Sequence, residues 1–84
     1  MAKTAHTQTG DAFRSLLRDL REKAELTQAE LAERLGLPQS YVSKYETGER
    51  RLDFVETVRV CDAIGVSIDA FVKFFRAKTK GLRE

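Results

Sequence analysis

Several residue types that build specialised sites are scarce in this chain of 84 residues, which has one cysteine, one histidine, one proline and no tryptophan. Cys61 cannot form an internal disulfide, and no second cysteine or nearby histidine could share a metal with it. His6 lies in a polar N-terminal stretch, and no combination of serine, histidine and carboxylate residues suggests a catalytic group. We therefore expect no enzymatic activity, no metal and no cofactor, and we place Cys61 in the hydrophobic core.

Long apolar runs are absent as well. No stretch approaches the roughly 18 apolar residues that a membrane span requires, and the N-terminus lacks the apolar segment of a signal peptide. With 42% hydrophobic and 33% charged residues, the composition is typical of a small globular protein. We expect a single domain in the cytoplasm that makes no contact with membranes, where a reducing environment suits the unpaired thiol.

Strong net charge is also missing, since 15 basic and 13 acidic side chains leave a formal charge of +2. The distribution of charge therefore matters more than the total. Only residues 67–84 are basic as a block, and we interpret their cations as a solvated face, with DNA contact as the alternative. These cations are Lys73, Arg76, Lys78, Lys80 and Arg83. The expected organisation is a flexible arm over residues 1–10, a folded domain over 11–78 and a basic tail over 79–84.

Five segments carry apolar residues at three- and four-residue spacing, and no segment alternates with a period of two long enough to predict a strand. The first segment begins at Asp11, the fourth near Asp53 and the fifth at Ser67. The stripe of the first helix consists of Phe13, Leu16, Leu17, Leu20 and Ala24. The stripe of the fourth helix consists of Phe54, Thr57, Val58, Cys61 and Ile64. The pattern predicts an all-α fold of five helices, each too short to be stable alone.

The second and third segments are short and are separated by a tight turn. Thr27 and Glu30 have the spacing of a capping box, and Gly36 supplies a left-handed residue that ends the second helix. The third helix is expected to begin at or just after Pro38 and to end at Gly48. Two short helices joined in this way are typical of a helix-turn-helix, whose second helix enters the major groove of double-stranded DNA.

The third helix has a polar face that suits base recognition. Val42 and Tyr45 are expected to point inward, which turns the polar residues of this helix toward solvent. The candidate base-reading residues are Gln39, Ser40, Ser43 and Lys44, each able to donate hydrogen bonds. The candidate phosphate contacts are Gln28 at the start of the second helix and Thr47, Arg50 and Arg51 after the third.

The segment LTQAELA at residues 26–32, Gly36 and the segment SYVSKYETG at residues 40–48 resemble the Xre/Cro/lambda-repressor family. The resemblance extends from about Phe13 to Phe71 and includes the turn CDAIGVS at residues 61–67. It implies a five-helix, lambda-repressor-like DNA-binding domain with a helix-turn-helix formed by helices two and three. Pro38 departs from the family, which usually has a serine or threonine cap there, and Arg51 stands where many relatives have proline.

The resemblance also implies roles for individual residues. Residues that match the family's base-reading positions are Gln39, Ser40 and Lys44. Ser43 and Tyr41 are implied to contact bases or the DNA backbone, and Gln28 is implied to hold a phosphate. Arg21 and Glu46 are implied to form an ion pair that ties the first helix to the third.

A single helix-turn-helix makes few phosphate contacts, so useful specificity generally requires two copies on a pseudo-palindromic site. Three phenylalanines on the last helix point in different directions, and a core of this size cannot readily enclose all of them. The residues expected at a homodimer interface are Phe71, Phe74 and Phe75, with Val55 and Val60 as neighbours off the main stripe of the fourth helix. The alternative is that the aromatic rings only seal the end of the core.

The sequence favours a dimeric transcriptional regulator, either a repressor or an autoregulator. A DNA-binding antitoxin and a controller protein of a restriction-modification locus share this fold and size and remain open, as does a protein partner such as a toxin or RNA polymerase. A protein-interaction module is a further alternative. The polar face of the third helix argues against it, because a protein-binding groove would favour apolar anchors.

Overall fold

The computed structural model describes residues 7–82, which form five α-helices and no strands. The helices are α1 (Gln8–Lys23), α2 (Gln28–Leu35), α3 (Gln39–Thr47), α4 (Phe54–Ile64) and α5 (Ile68–Thr79). This architecture confirms the predicted all-α class with five helices. His6 and the rest of residues 1–6, together with Arg83 and Glu84, lie outside the described residues.

The first helix starts earlier than the sequence pattern predicted. Thr7 is its N-cap, and the Thr7 hydroxyl accepts a hydrogen bond from the Gly10 amide at 3.0 Å. α1 therefore begins at Gln8 rather than at Asp11, and residues 8–10 of the expected arm are helical. At the other end of the chain, α5 continues through Thr79, the first residue of the expected tail.

Local chemistry fixes the ends of the two short helices. The Thr27 hydroxyl accepts from the Glu30 amide at 3.0 Å, and the Glu30 carboxylate accepts from the Thr27 amide at 2.9 Å, which is the predicted capping box. Gly36 ends α2 with φ 71°, in the left-handed region that glycine adopts without a steric penalty. α3 follows directly after Pro38, its N-cap, which provides no side-chain hydrogen bond.

The core lies where the five helices meet. Its most deeply buried side chains are Leu17, Leu31, Val42, Tyr45, Val60 and Cys61. The burial of Cys61 confirms its predicted place in the core, and it raises the pKa of the thiol to about 11. Within residues 7–82, no helix is long and apolar enough to cross a membrane, and no group of side chains could hold a metal ion.

Two residues predicted at a dimer interface belong instead to the core of the single chain. Val60 is 0% exposed and Phe71 is 4% exposed, so neither offers surface to a partner. Phe54, predicted to face the core, is 68% exposed. Three residues of the predicted stripe of α4 are buried as expected and Val60 joins them, whereas Phe54 is the first residue of the helix. The buried residues of α4 are Thr57, Val60, Cys61 and Ile64.

An aromatic cluster joins α1, the first helix, to α5, the last. The ring of Phe13 meets Phe71 and Phe75 edge to face, with centroids 5.8 and 6.3 Å apart. Phe71 and Phe75 stack on each other with centroids 6.4 Å apart. Phe75 is consequently half-buried, and Phe74, at 47% exposure, is the one of the three α5 phenylalanines that remains largely exposed.

Candidate nucleic-acid interface

The outward face of α3 carries the side chains that the sequence assigned to base recognition. They are Gln39, Ser40, Ser43 and Lys44. Ser43 is half-buried and the other three are exposed, whereas Val42 and Tyr45 are buried on the opposite face. These four positions lie on one side of the helix because residues four apart are one turn above each other. The result is a row of hydrogen-bond donors with one cation and no carboxylate.

A buried ion pair fixes α3 to α1. Arg21 Nε donates to Glu46 Oε2 at 2.7 Å, and Arg21 Nη2 donates to Glu46 Oε1 at 3.1 Å. The two side chains are only 9% and 5% exposed, and Arg21 Nη1 also donates to the Leu26 carbonyl at 2.7 Å. The hydrogen bonds to Glu46 raise the pKa of the Arg21 guanidinium. This pair is the one that the family resemblance implied, and its bidentate geometry limits rotation of α3.

A series of hydrogen bonds continues from this ion pair to the exposed face. Gln28 Nε2 donates to Glu46 Oε1 at 2.9 Å, and Gln28 Oε1 accepts from Gln39 Nε2 at 3.5 Å. The side-chain amide of Gln28 is thus engaged on both sides by other protein groups. The series orients Gln39, the first residue of α3, through contacts that begin in the core.

Arg50 is held by two other side chains. Its Nη2 donates to Glu56 Oε2 at 2.5 Å, and its guanidinium carbon lies 4.8 Å from the centroid of the Tyr41 ring. Burial and the Glu56 charge raise the pKa of Tyr41, whereas the Asp53 amide and Arg50 lower the pKa of Glu56. Tyr41 and Arg50, both predicted phosphate contacts, therefore lie against each other, and Arg50 is bonded to Glu56, which the sequence pattern did not indicate.

Thr47 and Arg51, the other predicted phosphate contacts, are exposed. The Thr47 hydroxyl donates to the Lys44 carbonyl at 3.1 Å. Arg51 forms no ion pair with any residue in the part of the chain that the structure describes. Arg51 is therefore the arginine of this loop whose charge is not offset by a bonded carboxylate.

One signal at this surface was present in the sequence and was missed. Asp53 and Glu56 form a second capping box, in which Asp53 Oδ1 accepts from the Glu56 amide at 2.7 Å. Their spacing is the same as that of Thr27 and Glu30, so the pattern alone could have identified it. The contact between Arg50 and Glu56 had no comparable signal, because it depends on how the loop before α4 folds.

A groove between α1 and α5 presents part of the apolar surface that the core leaves exposed. Leu16, Leu20 and Ala77 line it together with the exposed ring of Phe74. Its polar lining is mixed in sign, with acidic residues from α1 and basic residues from both helices. These residues are Asp19, Glu22, Lys23 and Lys78. Val55, 60% exposed on α4, is the other predicted interface residue that is accessible.

Comparison with known proteins agrees with this architecture. Residues 12–71 match the family described as "Helix-turn-helix domain". A solved structure described as an XRE-family like protein from Pseudomonas syringae pv. tomato str. DC3000 is 45% identical, with a TM-score of 0.82, over 92% of this chain and 94% of that one. No curated protein matched the chain. The chain therefore belongs to the XRE type of the helix-turn-helix family, a family of DNA-binding regulators.

Proposed function

We propose that this protein is a dimeric transcriptional regulator, a repressor or autoregulator, that binds a pseudo-palindromic operator in the cytoplasm. The observation that carries the proposal is the outward face of α3, whose hydrogen-bonding residues are exposed or half-buried while its inner face is fixed by a buried ion pair. An α-helix fits the width of the major groove, and a fixed helix presents its side chains in one register. Because α3 is already held in place, less conformational entropy is lost when its side chains bind DNA.

Each exposed side chain suits a particular acceptor or donor on the base edges. Gln39 can pair with adenine through both atoms of its amide, and Lys44 can reach the acceptors of guanine. Ser40 and Ser43 can donate to either bases or phosphates. The hydrogen bond that Gln39 Nε2 donates to Gln28 Oε1 orients Gln39 at the amino end of α3, the end that leads into the groove in this fold class.

Phosphate contacts are proposed for the residues that flank this face. The first turn of α2 offers backbone amides that have no partner within the helix, so a phosphate beside Gln28 is bound by main chain and by the second N–H of Nε2, the one not donated to Glu46. Arg51 and Thr47 contact the backbone on the opposite side of the groove. Arg50 and Tyr41 contribute as a pair, with the guanidinium oriented by the ring and by Glu56.

The DNA-binding proposal is tested by fluorescence anisotropy on a duplex taken from a binding selection. Affinity should fall steeply as salt rises, because each neutralised phosphate releases counterions. Arg51→Gln should reduce the salt slope, whereas Lys73→Gln on α5 serves as the charge-matched control and should leave it unchanged. A complex insensitive to salt, or equal slopes for both variants and the wild type, would refute phosphate contact by the loop after α3.

The dimer is proposed to form through the groove between α1 and α5. A two-fold axis beside Phe74 brings the ring of each copy onto Leu16 and Leu20 of the other, and it places Lys78 opposite the acidic residues of α1. Phe74→Asp should therefore give monomers in analytical ultracentrifugation. Val72→Asp is the control, since Val72 is comparably exposed at 41% but points away from Phe74 on the same helix. Dimers that survive Phe74→Asp would move the interface, with Val55 as the next residue to test.

A further inference from the structure

Glu56, in the first turn of α4, accepts hydrogen bonds from two different groups. Its Oε1 atom accepts from the Asp53 amide at 2.9 Å, which belongs to the capping box of α4, and its Oε2 atom accepts from Arg50 Nη2 at 2.5 Å. The Asp53 amide and Arg50 both lower the pKa of Glu56, so the carboxylate is charged at neutral pH. One carboxylate therefore joins the start of α4 to an arginine of the loop that follows α3.

The other contacts of Arg50 tie both its main chain and its guanidinium to α3. The Arg50 amide donates to the Lys44 carbonyl at 3.1 Å. The guanidinium carbon lies over the Tyr41 ring, 4.8 Å from its centroid, in the arrangement of a cation–π contact. Arg50 is thus held by residues of two helices, although it lies in a loop.

Arg50 can still bind a phosphate while it is held in this way. Its side chain is 44% exposed, and the bond to Glu56 uses one of the five N–H groups of the guanidinium. Arginine binds phosphate oxygens through the fixed geometry of its N–H groups, often two at a time. A phosphate can therefore bind to Arg50 beside Glu56 without displacing it.

Glu56 has two opposing effects on the binding of a polyanion at Arg50. Its negative charge repels phosphates, but at an ionic strength of 0.15 M salt screens exposed charges beyond about 8 Å. Its hydrogen bond restricts a long side chain whose rotational freedom would otherwise be lost when DNA binds. Salt screens the repulsion but leaves this entropic advantage in place, so at 0.15 M salt the advantage is the larger of the two.

We propose that Glu56 is a positioning residue for DNA binding, which holds Arg50 against Tyr41 in the geometry that meets a phosphate. Glu56 then raises the affinity of the domain for DNA even though its own charge opposes binding. The inference rests on the proposed function, because it requires Arg50 to contact the DNA backbone.

The test measures binding of the full chain to a duplex selected by the wild type, using fluorescence anisotropy at about 0.15 M salt. Glu56→Gln removes the charge, and the glutamine oxygen can still complete the capping box with the Asp53 amide. This variant should bind about three- to tenfold more weakly per half-site, the effect of ordering one long side chain on binding. Equal or tighter binding by Glu56→Gln would overturn the proposal.

Glu49→Gln is the matched control for the loss of a negative charge. Glu49 is an exposed acid next to Arg50 in sequence, and it forms no ion pair within residues 7–82. Removing its charge should leave DNA affinity unchanged or slightly higher, because only the repulsion is lost. The same loss of affinity in Glu49→Gln and Glu56→Gln would show that the contact with Arg50 is not the cause.

A double-mutant cycle separates an effect through Arg50 from an effect on the fold of α4. Arg50→Gln should itself weaken binding, and adding Glu56→Gln to it should cause no further loss. An equal loss from Glu56→Gln in both backgrounds would mean that Glu56 acts through the helix and would refute the positioning role. Wild-type affinity in Arg50→Gln would refute the phosphate contact on which that role depends.

NMR of the free protein gives a readout that does not involve DNA. The Nε–H signal of Arg50 should be shifted from that of an unrestrained arginine in the wild type and in Glu49→Gln, and should move toward the unrestrained position in Glu56→Gln. An unchanged signal in Glu56→Gln would contradict the ordering of the guanidinium. Absence of salt-dependent DNA binding by the wild type would instead refute the proposed function, whereas normal binding with equal affinity in Glu56→Gln refutes only the role of Glu56.

Discussion

The α2–α3 half of the molecule and the α4–α5 half differ in how directly their sequence reveals their structure. In α2 and α3, the capping box, the terminal glycines and the inward residues Val42 and Tyr45 all lie where the sequence predicted. In α4 and α5, the helices were located correctly, but Val60 and Phe71 are buried where a dimer surface was expected, and Phe54 is exposed where core was expected. Helix ends depend on local hydrogen bonds, whereas the buried face depends on neighbours that are distant in sequence.

The sharpest test of this contrast compares two phenylalanines on α5. Phe71→Ala should lower the free energy of unfolding by about 3–5 kcal/mol, because it removes a buried ring from between α1 and α5. Phe74→Ala should change it by less than about 1 kcal/mol in the monomer, since nearly half of that ring is already exposed. Urea denaturation at low protein concentration, where dimerisation contributes little, measures both. Equal losses would mean that the two rings are equally buried and that the assignment of faces is wrong.

The ion pair provides a test of the α2–α3 half. Glu46→Gln should lower the free energy of unfolding by about 3 kcal/mol, because Arg21 then stays charged and buried with only the exposed Glu22 carboxylate, 3.9 Å away, as a counter-charge. Asp11→Asn is the control, since its pair with Arg14 does not involve Arg21, its carboxylate is 63% exposed, and it should contribute less than about 1 kcal/mol. Guanidinium would screen the charges, so urea is again the appropriate denaturant. A small effect of Glu46→Gln would show that α3 is oriented by its apolar side alone.

A smaller effect is expected at the start of α2. Thr27→Ala removes the hydroxyl that caps the Glu30 amide and should cost about 1 kcal/mol. Ser40→Ala, an exposed serine in the first turn of α3, should cost less than about 0.5 kcal/mol. Thermal unfolding of the two variants, each compared with the wild type, gives both values. Equal losses of stability in the two variants would show that the capping box does not stabilise α2.

The smallest effect is a dependence on pH at the start of α4. The pKa of Glu56 lies below its usual value because the Asp53 amide and Arg50 stabilise the carboxylate. Its contribution to stability is therefore complete above the pKa of an unfolded glutamate and is lost as pH falls through the lower folded value. NMR signals of Asp53 and Arg50 should shift together over this acidic range, and Glu56→Gln should abolish the shared transition. Independent shifts in the wild type would contradict the contact.

These differences explain what could be predicted of the candidate site. The residues of the α3 face followed from helical periodicity and from the family resemblance, because both depend on short sequence spacings. The engagement of Gln28 with Glu46 and of Arg50 with Tyr41 and Glu56 could not be predicted, since each contact joins different elements. Val60 was misplaced because a helix with apolar residues at both 58 and 60 can bury either face, and only the packing of α1, α2 and α5 decides between them.

Sequence-specific recognition depends most on α3 presenting Gln39 and Lys44 to base edges, and a binding selection on random DNA duplexes tests this directly. The wild-type protein should enrich a site with two-fold symmetry whose half-sites are separated by about one helical turn. Gln39→Ala and Lys44→Ala should each relax the preference at one symmetric pair of positions by about 1–3 kcal/mol. No enriched site for the wild type, or identical base preferences in all three proteins, would contradict the assignment of α3 as the recognition helix.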